Sequence, residues 1–261
     1  LVILFCYFLL TYFINTSYIF SIMISVCIAT YNGALYIKEQ LNSILPQLSD
    51  NDEIIISDDH STDDTLQIIR SINDKRIKIF INQGEKGYTP NFENALQKAL
   101  GEYIFLCDQD DIWMENKVSY CINELQSYDF IVSDAVIINS DGQATKDSFY
   151  KERIVYKSLI GNIYKFGYLG CCMAFKRNIL EKVLPFPHNH QYCTHDNWIF
   201  LIAKSFYKST ISNEQLIKYR RHSTNSSTGG FSKSSTLSFK IAYRLYLVYN
   251  LVQRLLIQKH K

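Results

Sequence analysis

From residue 23 the chain alternates between short apolar runs and longer segments whose apolar residues recur every three or four positions. The runs at 24–29, 53–57, 77–81 and 103–107 have the length and composition of buried strands. Between and after them, 34–48, 65–72, 91–100 and 115–125 have helical spacing, with Pro46 near the end of the first and Gly101 closing the third. Strand and helix in regular alternation predict an α/β fold, a mostly parallel sheet with helices on both faces. Ligands of such sheets bind beyond the carboxyl ends of the strands.

The second half is less regular. Its pattern predicts a strand over 130–139 with a turn at Ser140-Asp141-Gly142, a strand over 171–176, a helix over 196–204, and a strand over 215–220 before the polar loop 223–230. From 237 to 261 apolar residues interleave with Lys240, Arg244, Arg254, Lys259 and Lys261, and no acid occurs. That pattern predicts a basic amphipathic helix suited to an anionic lipid surface, the alternative being a helix that packs on the catalytic domain with ordinary solvated cations.

Residues 1–20 are almost wholly apolar, yet they lack the basic flank and small-residue cleavage site of a secretory signal. Met23 stands immediately before the first strand, and position 1 is not Met. The expectation is that 1–22 is an apolar extension upstream of the functional start, with a membrane anchor as the alternative. The catalytic domain then spans 23–230 and the basic helix 231–261.

Across 261 residues, 47% are hydrophobic and 20% charged, which places the chain among folded globular proteins. A net charge of only +2 gives no footing for wholesale nucleic-acid binding. The seven cysteines have no CxxC spacing, and an odd number without a framework argues for a reducing compartment.

The chemistry concentrates at two strand ends. The run Tyr103-Ile104-Phe105-Leu106-Cys107 leads directly into Asp108-Gln109-Asp110-Asp111-Ile112-Trp113. Burying that much like charge is costly, so the cluster belongs where it meets water or a cation. If the strand continues, Asp108 and Asp110 share one face, as a hard divalent cation with open positions for phosphate requires. The 53–57 strand ends in Asp58-Asp59-His60-Ser61-Thr62-Asp63-Asp64. Helix capping by Thr62 or Asp63 accounts for part of it, but not for Asp58 and Asp59.

Together with Ser25-Val26-Cys27-Ile28-Ala29-Thr30-Tyr31-Asn32-Gly33, these tips resemble glycosyltransferase family 2. The resemblance continues through Gly87-Tyr88-Thr89-Pro90-Asn91-Phe92-Glu93, Gly170-Cys171-Cys172-Met173-Ala174-Phe175, His195-Asp196-Asn197-Trp198 and Tyr219-Arg220-Arg221-His222. The later motifs are similar to bacterial rhamnosyltransferase-like members that build capsule, O-antigen and other surface polysaccharide. The family implies a GT-A fold, Rossmann-like with a helical tail, and a nucleoside-diphosphate sugar donor such as dTDP-rhamnose or a UDP-hexose. By position, Thr30, Tyr31, Asp58 and Asp59 would bind base and ribose. Asp108 would contact ribose or metal-bound water, Asp110 would ligate Mg2+ or Mn2+, and Arg220 would approach the diphosphate or acceptor. Asp196 would be the general base, giving inversion, and Asp111 is either a partner of the metal site or a helix cap. The acceptor is expected to be a saccharide or lipid-linked saccharide, and the enzyme cytoplasmic or peripheral on the inner membrane face. No Q-x-x-R-W motif occurs, so single rather than processive transfer is expected. Cys172 stands where similar members often carry Thr.

Two rivals remain open from the residues alone. Haloacid-dehalogenase phosphatases also place D-x-D after an apolar strand, the first Asp being the nucleophile. That motif normally lies near the amino terminus, whereas here it is deep in the chain. A sugar-binding module that kept the fold without catalysis is the other. His188, His190, Cys193 and His195 hint at a transition-metal site, but they follow Pro185-Phe186-Pro187 and lack a second ligand pair at zinc spacing.

Overall fold

The structure, a computed structural model, describes residues 23–222 and 236–257. The expectations for 1–22 and for the loop 223–230 lie outside the described residues. In chain order the strands are β1 (Ile24–Thr30), β2 (Glu53–Asp58), β3 (Ile77–Ile81), β4 (Tyr103–Asp108), β5 (Ile112–Trp113), β6 (Phe130–Ile138), β7 (Ala144–Lys146), β8 (Met173–Lys176) and β9 (Ser209–Arg220). The helices are α1 (Ile37–Ile44), α2 (Thr65–Ser71), α3 (Tyr88–Lys98), α4 (Lys117–Ser127), α5 (Phe149–Glu152), α6 (Leu159–Tyr164), α7 (Leu180–Val183), α8 (His195–Phe206) and α9 (Leu237–Ile257).

The strands form one sheet in the order β3-β2-β1-β4-β8-β6-β9-β5, with β7 paired to β6. The first four are mutually parallel, as the alternating pattern predicts. β1, β2 and β4 consist largely of apolar residues buried on both faces, because helices cover each side, whereas β3 at the sheet edge is only partly buried. Beyond β4 the sheet is mixed. β8 runs antiparallel to β4 and β6, β9 parallel to β6, and β5 antiparallel to β9. The parallel ladders are the longer ones, so the expected GT-A-type sheet holds, with antiparallel strands inserted in its second half.

Two local features fix the opening register. Glu53 is buried at the start of β2, where burial raises its carboxyl. Hydrogen bonds from Lys78 Nζ (2.7 Å), Ser25 Oγ (2.6 Å) and Leu100 N–H (2.6 Å) outweigh burial and hold it below its ordinary value. At Gly101 a Cβ would stand 2.5 Å from the Ser25 nitrogen, so only glycine lets the α3–β4 connection pass β1. The resulting parallel register pairs Thr30 with Asp58 and Ala29 with Asp108. Three strand tips therefore open on one edge.

Helix boundaries shift from the sequence pattern at identifiable points. α1 stops at Ile44 and continues as a 3-10 turn over Leu45–Gln47, because Pro46 has no N–H to donate. α3 starts at Tyr88, directly after Gly87 at φ 122°, a backbone setting that side chains disfavour. The 171–176 run divides into a 3-10 turn and the short β8.

Candidate active site

The three parallel tips carry different jobs. Asp58 is fully buried and accepts from Ser61 N–H (2.8 Å), Ser61 Oγ (2.6 Å) and Thr30 Oγ1 (3.1 Å). It ties the β1 tip to the loop after β2. Asp59 accepts from Asn82 Nδ2 (3.0 Å) and Gly87 N–H (2.8 Å), which fastens that loop to the one before α3. Asp63 accepts from Thr65 N–H (3.0 Å) and from Ala34 N–H (3.1 Å), so beyond starting α2 it also draws in the β1–α1 loop. Thr30 is buried, while the Tyr31 ring beside it stands half exposed at the edge of the tips.

The third tip departs from the strand-alternation argument. β4 ends at Asp108, and Gln109-Asp110 form a turn, so no continuing strand puts Asp108 and Asp110 on one face. The turn brings them together instead: burial first, then the charges of Asp110 and Asp196, push Asp108 up to about 7. Burial, then the charges of Asp110 and Asp108, raise Asp111 well above the carboxylate range. Its Oδ2 has no hydrogen-bond partner among the described residues. Ligand atoms of Asp108, Asp111 and Cys171 lie within 4.8 Å of one another. Asp110 pairs with His222, Oδ2 to Nε2 at 2.9 Å. So much carboxylate in so little water, with an orphaned buried oxygen and an imidazole alongside, is a donor set that suits a divalent cation.

Gln109 was not singled out from the sequence. Its Oε1 accepts from Tyr31 N–H (2.9 Å) and its Nε2 donates to Tyr31 O (3.0 Å). This two-point clasp locks the acidic turn to the β1 tip, and a Cβ at Gly33 would overlap the Gln109 amide. The signal was present as the Gln inside D-Q-D-D.

Arg220 requires a correction. The sequence reading aims it at the diphosphate or acceptor, but its side chain is buried. The guanidinium bonds Asp110 O (2.8 Å), Ser140 O (2.8 Å) and Glu39 Oε2 (2.6 Å), and lies 4.6 Å from the Tyr36 ring centroid. Its N–H donates to Asp111 Oδ1 at 2.9 Å. A long cation on a strand end can serve a cleft or brace the turn beside it, and here the turn's carbonyls capture the fork. Antiparallel pairing of β5 with β9, Ile112 opposite Lys218, makes that capture possible.

Asp196 sits in the first turn of α8. Thr194 Oγ1 (2.5 Å) and Asn197 N–H (2.8 Å) both donate to its Oδ1. Tyr88 relates it to the strand tips: burial, then the charges of Asp196 and Asp108, push the Tyr88 hydroxyl up to about 12. This partly exposed ring therefore feels both carboxylates. Beside it His195 is buried, stacked on Phe92 at 4.1 Å, and burial lowers its pKa, so it is neutral near pH 7. The other members of the possible transition-metal segment go elsewhere, His190 facing Glu85 at 3.7 Å and Cys193 packing in the core. All six described cysteines are buried free thiols.

Residues 25–184 match the family model described as glycosyl transferase family 2. A β-1,3-glucosyltransferase of Escherichia coli, WfaP, named for UDP-glucose and α-D-GlcNAc-diphosphoundecaprenol, is 30% identical over 81% of this chain and 82% of its own length. The dTDP-rhamnosyl transferase RfbG of Shigella flexneri is 29% identical over 85% of this chain and 79% of that protein. Among solved structures, S. aureus TarS 1–349 in complex with UDP-GlcNAc superposes with a TM-score of 0.68 at 20% identity, covering 88% of this chain. This chain spans 66% of that one, just under two thirds. The mannosyltransferase PcManGT of Pyrobaculum calidifontis, with GDP-Man and Mn2+, gives 0.56 at 18% identity over 91% of this chain and 64% of its own. At those identities the structural likeness speaks for the GT-A fold.

Proposed function

Since the chain belongs to glycosyl transferase family 2, we propose that it moves one sugar, with inversion, from a nucleoside diphosphate to the hydroxyl of a lipid-linked saccharide. Membership removes the phosphatase reading, and the acidic tips supply what transfer needs. The observation that supports the proposal is the acidic turn after β4, where Asp111 Oδ2 is buried without a partner among the described residues and the charge of Asp196, from the start of α8, reaches Asp108. In this reading donor and base sites share one cleft.

In this reading Tyr31 offers its exposed ring to the nucleobase, and Thr30, Asp58 and Asp59 shape the base and ribose pocket through the bonds described. Asp110 and Asp108 would hold Mg2+ or Mn2+, with the orphaned Asp111 oxygen and His222 beside them, and the cation would offset charge on the departing diphosphate. Solved relatives of this fold contain Mn2+ or Mg2+. Arg220 acts through Asp110, fixing the turn's carbonyl rather than touching phosphate. Asp196 takes the acceptor proton as the acceptor oxygen bonds the anomeric carbon. The carbon–oxygen bond to the diphosphate breaks, and the electron pair leaves on phosphate oxygen. Both hydrogen bonds to Asp196 fall on Oδ1, which orients the carboxylate and leaves Oδ2 for that proton.

The substrates for which these relatives are named favour UDP-glucose or dTDP-rhamnose as donor and a diphosphoundecaprenol-linked saccharide as acceptor, reached at the cytoplasmic membrane face. A panel of nucleotide sugars incubated with the protein and divalent cation, followed by mass spectrometry, tests the reading without any acceptor. Slow release of nucleoside diphosphate from one donor class is expected. Intact donors throughout, with no nucleotide bound, would leave a binding module.

A further inference from the structure

The sequence predicts that the tail helix meets lipid through its cations. The structure divides that helix differently. Arg244 donates to Tyr164 O (2.8 Å), and Arg254 donates to the Pro185 carbonyl. These two cations are spent on the domain. Tyr243 Oη accepts from Asn197 Nδ2 (2.9 Å), Tyr246 Oη accepts from Asn189 N–H (2.9 Å), and Leu247 and Leu251 are buried. One face of α9 is thus docked on α8 and its neighbours.

The other face is apolar and open. Ile241, Leu245, Val248, Val252 and Leu255 follow at alternating spacings of four and three, which aligns them along the helix, and each is between 42% and 66% exposed. Next to it, α6 exposes Ile160 (80%) and Tyr164 (58%), one turn apart, and Arg244 joins the two helices through Tyr164. An apolar surface shared by two helices is more than a monomer ordinarily leaves in water. The charges carried by α6, α9 and their flanking residues have one sign. Lys157 and Lys165 flank α6 and are exposed, and Lys240 lies on α9. No acid occurs from 153 to 180, or anywhere after 214.

From this juxtaposition we propose that the α6–α9 face is a membrane-docking surface for anionic lipid. Apolar side chains enter the headgroup boundary while Lys157, Lys165 and Lys240 meet headgroup charge. A second copy of the chain is a poorer occupant, because face-to-face pairing would oppose like cations across an apolar seam. The docked face also sets orientation. Tyr243, on the same helix, bonds Asn197, the residue after Asp196, so the base stands at the bilayer side of the cleft. This rests on the lipid-linked acceptor proposed above and states how such an acceptor would reach Asp196 without leaving the membrane.

The test is flotation of the full chain with vesicles of phosphatidylcholine alone or with one third phosphatidylglycerol, at low and high salt. Expected is flotation that requires phosphatidylglycerol, falls with salt, and drops at least about 5-fold in Leu245→Glu/Val252→Glu and in Lys157→Glu/Lys165→Glu. Donor hydrolysis is measured in parallel and is expected to match wild type, which reports folding and separates this proposal from the catalytic one. Should the apolar pair of changes unfold the chain, the lysine pair alone decides. Flotation equal on both vesicles, flotation unchanged by the variants (as an anchor in 1–22 would give), no flotation, or variants that only split a dimer would each overturn it.

Discussion

At the scale of residues, function divides between groups that face the cleft and groups that hold them. Asp58, Asp59 and Arg220 all stood out in the sequence as charges at strand ends, and all three are found braced: Asp58 within the loop after β2, Asp59 on the loop before α3, Arg220 on the turn after β4. Sequence shows that a charge lies at a tip, but not whether it points into the cleft, since that depends on which carbonyls and amides the fold delivers beside it. The partnership of Asp110 with His222 joins positions 112 residues apart, and only the β5–β9 pairing creates it. Asp196 was picked out only by the resemblance that His195-Asp196-Asn197-Trp198 carries, since an acid in the first turn of a helix is by itself ordinary helix-start chemistry. Its role is testable directly. Asp196→Asn keeps the size and the acceptor oxygen for Thr194 but removes the base, so kcat should fall about 10^2–10^4-fold. Nucleotide affinity, read by calorimetry, should stay within a few-fold of wild type. Equal losses of binding and turnover would make Asp196 structural.

At the scale of elements, the parallel half was readable because its strands are short apolar runs, buried on both faces in β1, β2 and β4, and each crossover is a helix with its own periodicity. β5 and β7 were missed, being only two and three residues long, too short for any period to register. β9 runs from Ser209, further than expected, because polar residues at its start still pair with β6. Loops between elements also carry stability. Arg76 donates to Leu45 O (3.1 Å) and Leu48 O (2.7 Å) and grips Asp74, whose carboxyl those bonds and that charge pull down to about 2. A depressed carboxylate contributes its stability in full above its unfolded value near 3.8 and loses it as pH falls toward 2. Asp74→Asn should therefore lower Tm at neutral pH, and the gap to wild type should close between pH 4 and 2. A gap that stayed constant across that range would remove the ion pair from the account.

At the scale of the whole molecule, one edge gathers the tips of β1, β2 and β4, the returning end of β9 and the start of α8. Family membership could be recognised from ordered motifs alone. The assembly could not, because it depends on β8 entering antiparallel and on α9 folding back against α8. Among the described residues no helix is long and apolar enough to cross a bilayer. The central claim is that the acidic turn after β4 supports departure of a nucleoside diphosphate with a divalent cation. Its most direct measurement is donor turnover by wild type and Asp110→Ala, each with Mg2+ or Mn2+ and with chelator. The account expects chelator to silence the wild type and Asp110→Ala to lose at least about 10^2-fold with metal present. Full wild-type turnover in chelator would contradict it.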